Sequence, residues 1–273
     1  MPGNAKVVKS DLTPASLEAS FKGQDAIISL VGNSGFAGQK ALIDAAVAAG
    51  VKRFIPSEFG SNTESSAVLQ RVPIFKAKRD IIEYAQTKEN SGLSWTGFIT
   101  GPIFDLVRAF LGMSHSIGYL LTYVKCLRTG FLNFNIAEKK AKIWDGGDVP
   151  FSTTNLSTIG DALVALLSNP KLVEESANKY VFVESFTITQ NEVLKTLEKV
   201  SDAKWTVEPV DAEARRTEAL EKLGKGDFSG VGTLIQAVIL SKEGLSDLRP
   251  VGLWNDKLGL RKENLEEEVK KVL

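Results

Sequence analysis

The sequence contains one cysteine, Cys126, and one histidine, His115, among its 273 residues. A single cysteine cannot form a disulfide within the chain, and its rarity is typical of a reducing compartment, so we expect a cytoplasmic protein. A structural zinc site needs several cysteine or histidine ligands, and the chain has too few of them. We therefore expect no bound metal.

The chain also lacks an excess of either charge, because lysine plus arginine and aspartate plus glutamate each number 33. A nucleic-acid-binding surface has to be basic to neutralise phosphates, so no nucleic-acid partner is expected. Residues 106–124 form the longest apolar stretch, but Arg108, His115 and several hydroxyl side chains interrupt it. We expect neither a membrane-spanning helix nor a secretory signal.

Apolar residues are plentiful, at 43% of the chain, and they fall into short runs that alternate with helical patterns. In the first half, strands are predicted at 5–11, 25–32, 51–55 and 93–101, and helices at 12–21, 38–50 and 73–88. The run 25–32 is apolar throughout, as in a strand buried on both faces of a parallel sheet. This alternation predicts an α/β fold with a doubly wound, Rossmann-like parallel sheet.

The second half of the chain is less regular. Its pattern predicts a helix from about residue 156, strands at 179–185 and 204–210, and a helix capped near Thr189. We predict a dinucleotide-binding domain over 1–160 and a smaller C-terminal substrate-binding lobe over 161–273. The strand at 179–185 is expected to return to the main sheet.

A group of polar and aromatic residues follows the predicted strand 51–55. After Pro56 come Ser57, Glu58, Phe59 and Gly60. A tight turn needs the proline and the glycine, but it does not need a hydroxyl, a carboxylate and a ring in succession. Since ligands of open parallel sheets bind beyond the carboxyl ends of the strands, we predict that at least one of these residues faces a ligand.

The segment "GNSGFAG", Gly32 to Gly38, spells G-x-x-G-x-x-G between a predicted strand and a predicted helix. In one interpretation its backbone amides cradle a pyrophosphate, and Glu58 holds a ribose hydroxyl. Against this interpretation, a strand and a helix already precede the segment, whereas the dinucleotide fingerprint normally opens the fold. The pattern alone leaves both interpretations open.

Residues 7–63 resemble the NmrA-like and isoflavone-reductase-like family of atypical short-chain dehydrogenases, and the fungal members most closely. The resemblance continues through "VPIFKAKRDIIEYA", "LSWTGFITGPIFD" and "DGGDVPFSTTNLSTIGDA" and covers nearly the whole chain. It implies that the family's first two strands, with their glycine-rich phosphate loop, would come before residues 5–11, so the Rossmann-like sheet is N-terminally incomplete. It also implies that residues 106–125 are an insertion.

The resemblance places the Gly32 to Gly38 loop beside the cofactor, but not as its pyrophosphate cradle. It implies a cofactor-binding set of Asp11, Gly32, Asn33, Ser34, Ser57, Glu58, Phe59, Gly60, Lys78, Thr100, Gly101 and Pro102. Phe59, Phe104 and Phe151 would form an apolar substrate pocket.

The resemblance also implies a catalytic lysine that follows a phenylalanine as F-x-x-K near a helix start. Phe75 and Lys78 fit this pattern, with Lys76 as a near alternative. Such a lysine donates or relays a proton as hydride leaves the nicotinamide. The rival is a Y-x-x-x-K pair, Tyr84 and Lys88, which begins six residues later. Along a helix, six residues correspond to about 9 Å, so this pair would lie about 9 Å further from the strand ends.

The resemblance implies an NADPH-dependent reductase of an activated double bond or carbonyl in a small, possibly aromatic, molecule. The chain would act as a monomer or homodimer. One alternative is an NmrA-type regulator that senses dinucleotide without turnover, although the lysine at the helix start favours an enzyme. Another alternative is a form that binds no dinucleotide, because a lost phosphate loop removes several hydrogen bonds to charged oxygens, each worth about 1.5–3 kcal/mol.

Overall fold

The computed structural model describes residues 5–32, 35–105 and 130–273. Its strands, in chain order, are β1 (Ala26–Ile28), β2 (Arg53–Ile55), β3 (Ser94–Ile99), β4 (Phe134–Asn135), β5 (Lys140–Trp144), β6 (Phe151–Thr153), β7 (Lys179–Phe182), β8 (Phe186–Ile188) and β9 (Thr206–Val210). Its helices are α1 (Pro14–Phe21), α2 (Gln39–Ala48), α3 (Ser66–Arg71), α4 (Lys76–Gln86), α5 (Leu156–Ser168), α6 (Pro170–Glu175), α7 (Gln190–Ser201), α8 (Ala212–Gly224), α9 (Val231–Leu240) and α10 (Leu265–Val272). His115, Cys126 and the predicted insertion at 106–125 lie outside the described residues.

The main sheet has the strand order β1-β2-β3-β7, and all of its pairings are parallel. The strand β7 comes from the second half of the chain and lies beside β3, with Thr96 opposite Lys179. Two smaller sheets, β4-β5-β9 and β6-β8, are formed from residues after 130. The predicted α/β class with a parallel sheet is confirmed.

Helices cover both faces of this sheet. Successive side chains of a strand point to opposite faces, and the neighbours Phe54 and Ile55 of β2 belong to different hydrophobic clusters. Phe54 packs with Ile43 of α2, whereas Ile55 packs with Leu166 of α5. Each of these fully buried side chains contributes about 1.5–3 kcal/mol of hydrophobic stabilisation. The doubly wound arrangement follows from this division.

Local sequence signals placed several helix ends correctly. The Thr13 side chain accepts a hydrogen bond from the Ser16 amide, and Pro14 occupies the first position of α1. Beyond α2, Gly50 has a φ of +75°, which a glycine adopts without a steric penalty. Thr189 forms a capping box at the start of α7. These residues set the ends of the helices because they satisfy backbone groups that the helix itself leaves unpaired.

One strand prediction was wrong, and a second was right about the strand but wrong about its length and burial. Residues 5–11 form no strand, and Val7 and Val8 are 65% and 55% exposed. A strand needs a hydrogen-bonded neighbour, and the described chain places none beside this segment. The run 25–32 gives only the short β1, which pairs with β2 alone and leaves Ile28 36% exposed instead of buried on both faces. It is an edge strand.

Among the described residues, no helix is both long and apolar enough to cross a membrane. The apolar stretch 106–124 lies outside the described residues.

Candidate active site

The two predicted strand-end segments lie together in the structure. The carbonyl oxygen of Gly60 accepts hydrogen bonds from the amides of Thr100, at 3.3 Å, and Gly101, at 3.0 Å. The strands β2 and β3 are parallel neighbours, so their carboxyl ends lie at the same edge of the sheet. The candidate site is built on this edge.

The loop after β2 is fixed by hydrogen bonds to the loop after β1 and to α2. The Ser57 amide donates to Oε1 of the buried Gln39 at 2.9 Å, and the Ser57 hydroxyl donates to the carbonyl of Val31 at 2.8 Å. Phe59 has a positive φ of +24°, and its ring centre lies 5.8 Å from that of Phe98. The Ser57 hydroxyl is therefore engaged in holding two loops together.

Lys78 lies in the first turn of α4 and reaches this loop. Its ammonium donates a hydrogen bond to the carbonyl oxygen of Glu58. It also lies 5.6 Å from the centre of the Phe36 ring and 3.8 Å from the position that a Cβ would take at Gly60. Burial lowers the pKa of Lys78, and the nearby charge of Glu58 opposes this shift.

The Glu58 carboxylate points into the protein, where the residue is only 1% exposed. Its Oε2 accepts a hydrogen bond from the Thr63 hydroxyl at 2.6 Å. Burial raises the pKa of Glu58, and the charge of Lys78, the Thr63 hydrogen bond and the charge of Arg79 oppose that shift. Burial and the charge of Glu58 also raise the pKa of Tyr180 to about 12. The interpretation in which Glu58 holds a ribose hydroxyl requires a carboxylate that a ligand can reach. The buried carboxylate of Glu58 does not meet this requirement.

The alternative lysines lie elsewhere on α4 and just beyond it. The Lys76 side chain is 70% exposed and pairs with Asp80. The Tyr84 hydroxyl donates to Asp44 of α2 at 2.7 Å, and the Lys88 ammonium pairs with the same carboxylate at 2.7 Å. Of these candidates, Lys78 is the one that the structure brings to the strand ends.

Three amides of the predicted glycine loop and of the residue after it are engaged in internal hydrogen bonds. The amides of Gly35, Gly38 and Gln39 donate to the carbonyls of Gly32, Gly35 and Phe36 at 2.8, 3.1 and 3.0 Å. Asn33 and Ser34 lie outside the described residues. These internal bonds agree with a loop that borders a cofactor without cradling its diphosphate.

Phe36, whose ring contacts the Lys78 ammonium, was missed in the sequence analysis. Its signal is an aromatic residue within a glycine-rich loop, where packing alone would not require one. A ring face attracts a cation, with about 0.5–1 kcal/mol at an exposed site.

The segment after β3 acts as rigid support. Gly101 has a φ of +62°, and a Cβ at this position would lie 2.2 Å from the carbonyl oxygen of Ser152. The Thr153 hydroxyl donates to the carbonyl of Pro102 at 2.6 Å. Thr100 is fully buried. The segment is thereby fastened to β6.

The other predicted residues do not form open parts of this site. Phe104 and Phe151 were expected to line a substrate pocket, but they are 1% and 0% exposed in the hydrophobic core, where Phe104 packs on Phe186. The core contacts of these rings leave no surface for a ligand in this conformation. Asp11 is exposed, and its carboxylate accepts hydrogen bonds from the Thr13 amide and hydroxyl. A cofactor contact of Asp11 stays a prediction.

Two observations test whether this edge suits a nicotinamide cofactor. Lys78 supplies a half-buried ammonium, and the ring of Phe36 supplies apolar surface beside it. A positive charge beside an aromatic surface fits the nicotinamide end of the cofactor. The engaged amides of the Gly32 to Gly38 loop do not fit the diphosphate end.

The parallel sheet, its covered faces and the lysine at its strand ends define a Rossmann-like α/β protein. The NmrA-like family matches residues 2–220. This match spans most of the chain, and the chain belongs to the NmrA-like family. The predicted family resemblance is confirmed.

The chain is similar to fungal oxidoreductases. It is 36% identical to oxidoreductase aprR of Aspergillus flavus over 220 residues, which are 80% of this chain and 66% of that protein. It is 30% identical to oxidoreductase poxI of Penicillium oxalicum over 281 residues, which cover 100% of this chain and 82% of that protein. The chain therefore spans about two thirds of the length of the first relative.

Similar folds occur in known structures. The structure of AtPrR2 with NADP⁺ and (+)-pinoresinol has a TM-score of 0.71, at 19% identity, over 96% of this chain and 79% of that chain. An isoflavone reductase structure has a TM-score of 0.68, at 20% identity, over 97% of this chain and 80% of that chain. At these identities the similarity shows the fold.

Proposed function

We propose that this chain is an NADPH-dependent reductase that reduces an activated double bond or a carbonyl of a small, possibly aromatic, molecule. The observation that carries the proposal is the half-buried Lys78 ammonium, held by the Glu58 carbonyl at the carboxyl ends of β2 and β3. Family membership, the oxidoreductase names of two fungal relatives and the NADP⁺ bound by a structural neighbour support it.

NADPH, when bound, supplies a hydride to the substrate. Lys78 donates a proton to the substrate atom that becomes electron-rich, and its charge stabilises an oxygen that develops negative charge. The neutral amine then takes a proton from solvent. The Phe36 ring shields one side of the ammonium from water, which strengthens its electrostatic effect.

Two alternatives have specific tests. An NmrA-type regulator would bind NADPH without turnover, and Lys78 then has no proton to deliver. A non-binding form is favoured by one observation, the internal hydrogen bonds of the Gly35, Gly38 and Gln39 amides. The three functions differ in whether NADPH binds and in whether it is consumed.

The test is an NADPH-oxidation assay against a panel of α,β-unsaturated ketones and aryl carbonyl compounds. We expect Lys78→Ala to lower kcat by about 10²–10⁴-fold. Lys76→Ala is the matched control, because this exposed neighbour points away from the strand ends, and its kcat should stay within the wild-type range. Equal turnover by Lys78→Ala and wild type would overturn the catalytic assignment. NADPH binding without consumption of any compound would favour the regulator.

A further inference from the structure

A partly to fully buried polar cluster lies behind Lys78. It consists of Glu58, Thr63, Arg79 and Tyr180. We propose that Glu58 is a positioning residue for Lys78, whose buried carboxylate keeps the ammonium charged and whose carbonyl holds it at the strand ends. The catalytic benefit of this contact between Glu58 and Lys78 rests on the proposed function, whereas the contact itself does not.

Residue 58 acts on Lys78 through two different groups. Its carbonyl oxygen accepts the hydrogen bond of the ammonium. Its side chain turns inward, away from solvent, and is held by the Thr63 hydroxyl at 2.6 Å. One loop residue therefore fixes both the position of the ammonium and a negative charge near it.

The other ionisable groups of the cluster do not replace this charge. Arg79, from α4, donates to the carbonyls of Thr63 and Glu64 at 3.2 and 3.3 Å and pairs with Glu83 at 3.6 Å. Tyr180, from β7, stays a neutral phenol because its pKa is raised to about 12. Glu58 is the one carboxylate of this cluster whose charge opposes the loss of the Lys78 proton.

Burial would otherwise work against a lysine that has to donate a proton. Removal of water destabilises the charged ammonium, so a half-buried lysine tends towards the neutral amine, which cannot act as an acid. An opposite charge in the same low-dielectric region counteracts this tendency more strongly than it would in water. Each turnover would pass one proton from Lys78 to the substrate, and the charge of Glu58 favours the uptake of a new proton from solvent.

The test measures the protonation of Lys78 directly, without NADPH or substrate. The protein is labelled with ¹³Cε-lysine, and its lysine signals are followed by NMR over a pH titration. Lys78→Arg identifies the Lys78 signal by its disappearance. We expect Glu58→Gln, which keeps an oxygen for the Thr63 hydroxyl, to move the Lys78 titration midpoint to lower pH. Glu83→Gln is the matched control, because Glu83 is exposed and pairs with Arg79, and it should leave the midpoint unchanged.

A second variant covers the case in which Glu58→Gln does not fold. Thr63→Val removes the hydrogen bond that stabilises the Glu58 carboxylate, so more Glu58 becomes protonated and the Lys78 midpoint again moves to lower pH. An unchanged or higher midpoint in a folded variant would overturn the proposal. If the midpoint falls while Lys78→Ala retains turnover, the proposed function fails and the Glu58–Lys78 coupling stands.

Discussion

The carbonyl oxygen of Gly60 accepts a hydrogen bond from the amide of Gly101 at 3.0 Å, which fastens the loop after β2 to the loop after β3. The geometry of Gly101 leaves no room for a side chain. Its φ is +62°, and a Cβ would meet the Ser152 carbonyl oxygen at 2.2 Å. We expect Gly101→Ala to lower the free energy of unfolding by about 2–3 kcal/mol, measured by urea denaturation.

The matched control for this prediction is Gly259→Ala. Gly259 has the same φ of +62°, but no atom lies within 4 Å of the Cβ position. This variant should show only the backbone strain, about 1 kcal/mol. Equal losses in the two variants would mean that the close approach of Ser152 contributes nothing.

The Y-x-x-x-K pair is expected to be unimportant for turnover. Tyr84 and Lys88 both bind Asp44 of α2, so neither side chain is directed to the strand ends. We predict that Tyr84→Phe and Lys88→Ala keep kcat within about 5-fold of wild type, because both side chains lie away from the strand ends and the loss of such a pair costs about 1 kcal/mol or less. The measurement is the same NADPH-oxidation assay. A loss as large as that expected for Lys78→Ala would restore the rival assignment.

Asp105 should make the stability of the protein depend on pH. Burial, together with the charges of Glu268 and Glu263, raises the pKa of Asp105, although the hydrogen bond from the Leu156 amide opposes this shift. A carboxyl with a raised pKa in the folded state contributes stability below its unfolded pKa, and the contribution is lost as the pH rises through the folded value. The charged form therefore destabilises the fold at neutral pH.

We accordingly predict that Asp105→Asn, which keeps an oxygen for the Leu156 amide, raises Tm at neutral pH. The gain over wild type should shrink as the pH falls towards the ordinary aspartate value of 3.8. Asp161→Asn, at an exposed position of α5, is the control and should show no such trend. A gain that is constant over this pH range would contradict the assignment.

Much of the fold could be predicted because the signals are local. Thr13 and Thr189 satisfy the first amides of their own helices, and Gly50 takes the left-handed conformation after α2. The spacing of Phe75 and Lys78 also depends only on the helix that carries them. Residues 5–11 have the apolar character of a strand, but strand formation depends on a partner elsewhere in the chain, and the segment alone does not reveal whether one is present.

The interior of the candidate site could not be predicted in the same way. Glu58 was expected to face a ligand because it follows a strand, yet its carboxylate turns inward to Thr63. The contact between Phe36 and Lys78 joins a loop and a helix that are far apart in the sequence. Phe104 lies in the segment after β3, and Phe151 is the first residue of β6, but both side chains are packed in the hydrophobic core. These outcomes depend on packing between elements, which a pattern within one element does not specify.

The most direct measurement for the whole account is a calorimetric titration of this chain with NADPH. We predict one saturable site with a Kd of about 1 mM or lower. We also predict weaker binding by Phe36→Ala, whose ring lies beside the Lys78 ammonium. The absence of any saturable heat would contradict a nicotinamide site at the ends of β2 and β3. Unchanged affinity in Phe36→Ala would contradict a cofactor site that includes the Phe36 ring.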